Sequence, residues 1–344
     1  MYIRYQVFLC FLFILSVSKG HAQRNPELQN LLLTYEIDSS DWLMVLAQDV
    51  FWADKVGVNE LLLKYDWSNS SIHYHLYDGI ASDYLTFRNT ASYLMTPAAT
   101  DTTQVPLILG FEVDENIRKS FRKVRAYLKN HPEMRKPSPL MVRLWGHVNN
   151  GKFLNERLMA EISDFYQNNK KELYKENPRL ASSLGSMVNS YSVFGRFHNK
   201  YKKGEEYFAN RNRVVYLNLR DYRTCIPSFK AIARMNPFFA LRKNDGLMES
   251  KCPSATCLLM ADTATEHGII SVYVLSMSID KMGNPHFRKE HCSHYQLTHQ
   301  RLDFLRNPRY GLPLAQGKDV LVSTPPGVPE YYSYYVLNKI YSIE

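Results

Sequence analysis

Residues 268–299 read GIISVYVLSMSIDKMGNPHFRKEHCSHYQLTH. Two runs rich in β-branched and aromatic residues flank Lys281-Met282-Gly283-Asn284, and a glycine-containing turn between such runs is the pattern of an antiparallel hairpin. The segments DVLVSTP (319–325) and YYSYYVLNKIYSI (331–343) carry the same strand character to the end of the chain. This stretch therefore sets the expected fold class: α+β, with a mainly antiparallel sheet in the C-terminal half packed with several amphipathic helices.

Working outward, the helices are read from periodicity. In DENIRKSFRKVRAYLKNH, Ile117, Phe121, Val124 and Leu128 fall at i, i+4, i+7 and i+11 and form one apolar stripe. The opposite face holds Arg118, Lys119, Arg122, Lys123 and Arg125. It reads first as a solvated face, with docking on an anionic surface as the alternative. A further helix is expected at PELQNLLLTYEI (26–37), followed by the apolar stretch DWLMVLAQDVFWA (41–53). Two more follow, one around Leu154, Leu158, Ile162 and Phe165 and one over LASSLGSMVNSYSVFG (180–195). SIHYHLYDG (71–79), LMVRLWGHV (140–148) and RVVYLNLR (213–220) read as strands, and HNKYKKGEEYFANRNR (198–213) as a polar surface loop. The prolines at 132, 137 and 139 mark a boundary. The expected organisation is a signal peptide over 1–22, an N-terminal α+β region over 23–134 and a C-terminal α+β domain with antiparallel sheet over 138–344.

The first 22 residues have the layout of a secretory leader. Arg4 charges the n-region, Tyr5 to Ser18 form an apolar core, and Gly20-His21-Ala22 offers small-x-small cleavage. A secreted or periplasmic protein beginning at Gln23 is expected, with no transmembrane span after removal of the leader. Removing Arg4 and Lys19 lowers the formal charge from +9 to +7. That excess is compatible with an envelope component or anionic surface as partner; no nucleic-acid partner is expected. The 22% charged and 45% hydrophobic content suits a globular chain and excludes a disordered one.

Four cysteines remain after the leader: Cys225, Cys252, Cys257 and Cys292. An even count in an exported chain favours disulfides, with Cys252–Cys257 closing a short CPSATC loop and Cys225–Cys292 a long one. The histidine cluster His286, His291, His294 and His299 around Cys292 could supply zinc donors. Its spacing matches no zinc-ligand pattern, and strand alternation would split it between two faces. No metal and no cofactor are expected. HExxH, G-x-S-x-G, phosphate-loop and dinucleotide motifs are absent.

One chemical arrangement stands out. Cys225, just before Pro227 and an apolar run, is expected near a helix N-terminus, where the helix dipole favours thiolate. His267 precedes a strand, and His286 and Glu290 lie on the next one. This order resembles that of papain-like cysteine amidases and peptidases, peptidoglycan hydrolases among them, over residues 221 to 300. The resemblance implies Cys225 as nucleophile, His267 as general base and His286 or Glu290 as orienter. The leading expectation is an exported protein with a binding or structural role; a cysteine amidase is the alternative.

Overall fold

The computed structural model describes residues 42–47, 74–77, 80–85, 107–150, 153–199, 204–235, 237–242, 252–279, 285–287, 320–323 and 334–342. Helices take most of them, and the strands form a largely parallel sheet. The first half supplies β1 (Leu43–Ala47), β2 (Tyr74–Tyr77), the short α1 (Ala81–Tyr84) and β3 (Leu107–Gly110). A helical block follows: α2 (Ile117–Asn130), a 3-10 turn (Pro132–Arg135), α3 (Pro139–Asn150), α4 (Glu156–Glu176), α5 (Pro178–Phe194) and α6 (Glu205–Cys225). Then come β4 (Ala231–Met235), the short α7 (Pro237–Ala240) and α8 (Ala255–Ala261). The chain ends with β5 (Ile269–Ile279), β6 (Pro285–Phe287), β7 (Val320–Ser323) and β8 (Tyr334–Ser342).

The strand order is β3-β2-β4-β1-β5-β8-β7, with β6 off the path on β5. All neighbours from β3 to β8 pair parallel; β6 on β5 and β7 on β8 are antiparallel. The expected α+β class with an antiparallel C-terminal sheet is therefore corrected to an α/β arrangement. The hairpin reading itself holds locally, since Met277, Ser278 and Ile279 pair antiparallel with Phe287, His286 and Pro285. It fails as a guide to the sheet because β5 takes its long partners from residues 43–47 and 334–342, which no local turn signal can announce.

Burial explains why the central strands are apolar throughout. Three consecutive residues of β4, Ala231, Ile232 and Ala233, are buried, so both of its faces are covered, as parallel sheets require. In β1, Leu43 and Val45 are at most 1% exposed. The strand start is fixed by Trp42, whose Nε1 donates to the His267 carbonyl (2.8 Å).

Two further expectations are corrected. LMVRLWGHV is helical in α3: the Ser138 hydroxyl accepts from the Met141 N–H, and Leu140, Met141, Leu144 and Val148 are buried while Val142 is 53% exposed. RVVYLNLR and most of the expected loop before it form α6, where Val214, Val215, Leu219 and Tyr222 are buried. The apolar stretch DWLMVLAQDVFWA contributes strand β1. In contrast, α2, α4 and α5 lie where the periodicity placed them. Asn116, Asn155 and Asn177 cap their N-termini by accepting from Lys119, Leu158 and Leu180. The left-handed Gly195 (φ 63) ends α5.

Strands on both sides of the proline-marked boundary at 134–138 share one sheet, since β4 is hydrogen-bonded by β1 and β2. The segments at 26–37 and 288–299 lie outside the described residues.

Candidate functional site at the carboxyl edge of the sheet

The connection leaving β2 runs outward to β3, while the connection leaving β4 runs across β1 to β5. Adjacent parallel strands whose chains depart in opposite directions leave a crevice beyond their carboxyl ends, the usual ligand position in open α/β sheets. Register places Tyr77 of β2 beside Arg234 of β4 at this edge, and Gly110 of β3 beside Tyr77.

Beyond Gly110 the chain leaves the sheet and bends at Glu112, and side chains from two helices take over from a strand partner. On α5, Ser182 faces the Gly110 carbonyl (3.5 Å), Ser186 donates to the Glu112 carbonyl (3.1 Å), and Ser190 accepts from the Asp114 N–H (2.9 Å). Hydroxyls at i, i+4 and i+8 of one helix thus meet alternate residues of the segment, Gly110, Glu112 and Asp114. On α6, Asn218 donates to the Phe111 carbonyl (2.8 Å) and the Tyr222 hydroxyl to the Gly110 carbonyl. Asn199 donates to the Asp114 carbonyl (2.8 Å). Gly110–Asp114 is thus held rigidly.

That rigidity positions Glu112. Its carboxylate receives both Nε (2.9 Å) and Nη2 of Arg211 from α6, a bidentate charge-assisted pair. The Arg211 guanidinium also lies 4.3 Å over the ring of Phe239 in α7, just after β4. Arg211 therefore links the extension of β3 to the segment after β4, across the end of β2. Its side chain is 23% exposed and that of Glu112 14%, so the pair is mostly withdrawn from solvent but still reached by it.

Two residues on, Asp114 is 1% exposed. Its Oδ1 accepts from the Asn116 N–H (3.0 Å), and Oδ2 has no hydrogen-bond partner among the described residues. Burial pushes its carboxyl up to about 6, against lowering contributions from Ser120, the Asn116 N–H and Lys123.

Behind the extension, α4, α5 and α6 enclose a second polar cluster. Asp221 accepts from Tyr166 (2.9 Å), Lys170 (2.5 Å) and Asn189 (3.1 Å), and Asn189 also donates to Asn218 (2.9 Å). Burial raises the Tyr166 and Tyr174 phenols well above their ordinary range, so both act as neutral hydroxyls. Gly185 makes room for them, because a Cβ there would lie 2.9 Å from the Tyr166 ring and 3.2 Å from the Tyr174 hydroxyl.

The residues expected to carry chemistry lie elsewhere. Cys225 is the last residue of α6, not the first of a helix, so the dipole there opposes thiolate. The residue is 5% exposed, and burial pushes its thiol upward. His267 does precede β5, with its side chain 91% exposed and 3.4 Å from Glu266. Cys225 and His267 both precede their strands, at the amino edge of the sheet. His286 pairs with Ser278 near the other end of β5, nine residues beyond Ile269 and about 30 Å along the strand. Glu290 and Cys292 lie outside the described residues. Cys225 and Cys252 carry free thiols in the structure. Among the described residues no cluster of three or more potential metal ligands occurs.

The residues at the carboxyl edge went unnoticed in the sequence. One signal is legible: serines at 182, 186 and 190 repeat every fourth residue along one side of α5.

The fold is that of an open α/β protein with a helical block inserted between β3 and β4. A Bacillus cereus protein shares it with a TM-score of 0.51 at 11% identity over 94% of this chain and 95% of that one. An erythromycin esterase, EreC, solved as a histidine-to-asparagine mutant in its open conformation, shares it with a TM-score of 0.50 at 9% identity over 91% and 93%. A succinoglycan biosynthesis protein aligns with a TM-score of 0.49 at 9% identity over 90% of each chain. No protein-family model matches the chain, and no curated protein matches it in sequence.

Proposed function

We propose that this is an exported protein that binds a small polar ligand at the carboxyl edge of its sheet, in the crevice between β2 and β4. The observation that carries this reading is the Glu112–Arg211 pair, held at that crevice by a segment fastened to two helices. A pre-organised carboxylate–guanidinium pair that keeps part of its surface in solvent presents a ligand with an acceptor and a donor. Export rests on the leader-like residues 1–22; among the described residues no helix is long and apolar enough to cross a membrane. N-terminal sequencing of the processed protein is expected to start at Gln23.

The test is a thermal-shift screen of sugars, peptides and lactones on the folded protein, followed by titration of any hit. Arg211→Met and Glu112→Gln are each expected to weaken binding at least tenfold, as loss of a charge-assisted hydrogen bond does. Hits whose affinity is unchanged in both variants would place the site elsewhere. Erythromycin belongs in the lactone set because a protein of this fold is an erythromycin esterase, and ring opening would read out as a gain of one water in mass. The cysteine amidase reading is not carried forward, since Cys225 is buried at a helix C-terminus and His286 stands at the far end of β5.

A further inference from the structure

We infer that the exposed basic face of α2, with Arg196 and the neighbouring Phe153, docks the protein on an anionic phospholipid bilayer. Arg118, Lys119, Arg122 and Lys129 are exposed along one side of α2, with Arg125 half-buried among them. Arg118 and Arg122, and Arg125 and Lys129, stand four residues apart, a like-charge spacing that weakens an isolated helix. Among the described residues no acid lies within ion-pairing distance of Lys119, Arg122 or Arg196; Lys123 meets the carboxylate of Asp83. The C-terminal end of α5 adds to the same face. Arg118 lies 4.6 Å over the Phe197 ring, which brings the exposed Arg196 beside the start of α2.

Shape and an apolar anchor separate a bilayer from other polyanions. The cations stand on the outer side of a helix, suited to a broad surface of repeated charge. Phe197, the aromatic closest to them, is stacked on Tyr191 (5.1 Å) and covered by Arg118, so it offers no platform for a nucleobase. Phe153, by contrast, is 84% exposed. Arg125 donates to the Asn149 carbonyl (3.4 Å), which sets the end of α3 against the basic face, and Phe153 follows within about 14 Å of chain. Basic side chains flanked by an exposed aromatic are the composition of an interfacial anchor.

The experiment is co-sedimentation of the processed full chain with vesicles of phosphatidylcholine alone, or with about one third phosphatidylglycerol. Partitioning is expected only onto the anionic vesicles, and it should disappear between about 0.05 and 0.5 M salt. The triple variant Lys119→Gln, Arg122→Gln, Arg196→Gln should lower it on the order of a hundredfold. Phe153→Ala should lower it roughly tenfold with the salt dependence unchanged. If the triple variant does not fold, as judged by circular dichroism, Arg122→Glu alone serves, with a loss of tenfold or more. Equal binding to both vesicle types, or anionic binding unchanged in the folded variants, overturns the proposal. So does displacement from the anionic vesicles by duplex DNA, which reassigns the face to nucleic acid.

Discussion

At the residue scale, Asp114 and Gly185 show how much depends on a single environment. The Asp114 carboxyl is pushed from 3.8 up to about 6 in the folded protein, so folding carries a cost for its ionised form. The unfolded chain releases that proton at the lower pH. The cost therefore grows as pH rises from about 4 to 6, is complete above 6 and is absent below 4. Asp114→Asn is expected to stabilise the protein by about 1–3 kcal/mol at pH 7.5 and to lose that advantage by pH 4, read from urea unfolding across pH. Gly185→Ala should destabilise by about 1–3 kcal/mol, because the added methyl displaces the Tyr166 hydroxyl that donates to Asp221. A Tyr166→Phe variant should partly relieve that second effect in a double-mutant cycle. Neither role can be read from the sequence, where Asp114 stands in a run of acids and Gly185 in a row of small residues.

At the element scale, the fastening of Gly110–Asp114 sets the site. Ser190→Ala removes the acceptor of the Asp114 N–H and is expected to raise hydrogen exchange at that amide by tenfold or more while α2 stays protected. Unchanged exchange there would show that α5 does not hold the segment. The same scale explains which elements were legible. α2, α4 and α5 carry apolar stripes and asparagine caps, signals contained within the helix itself. α3 and α6 were misread because LMVRLWGHV and RVVYLNLR are short and rich in β-branched and aromatic residues. Their helical state comes from burying Leu144 and Val148, or Val215, Leu219 and Tyr222, against the core. Cys225 was misplaced for the same reason: once α6 is a helix, the cysteine falls at its end.

At the scale of the whole molecule, parallel pairing binds distant parts of the chain into one cooperative unit. β4 is flanked by β1 and β2, both from the first 80 residues, so a fragment spanning 138–344 loses the hydrogen-bond partners on both sides of a buried strand. Expressed alone, it is expected to lack a cooperative thermal transition by circular dichroism; a cooperative one would restore an independent C-terminal domain. The sequence by itself determined the leader-like N-terminus, the basic balance, the capped amphipathic helices and the β5–β6 hairpin, because each depends on residues close together in the chain. Only the tertiary structure decided that the sheet is parallel, that RVVYLNLR is helical, and that Glu112, Arg211 and Phe239 meet at one edge. Those outcomes rest on contacts between residues far apart in the chain, Arg211 with Glu112 99 positions before it among them, whose energies exceed the local preferences that oppose them.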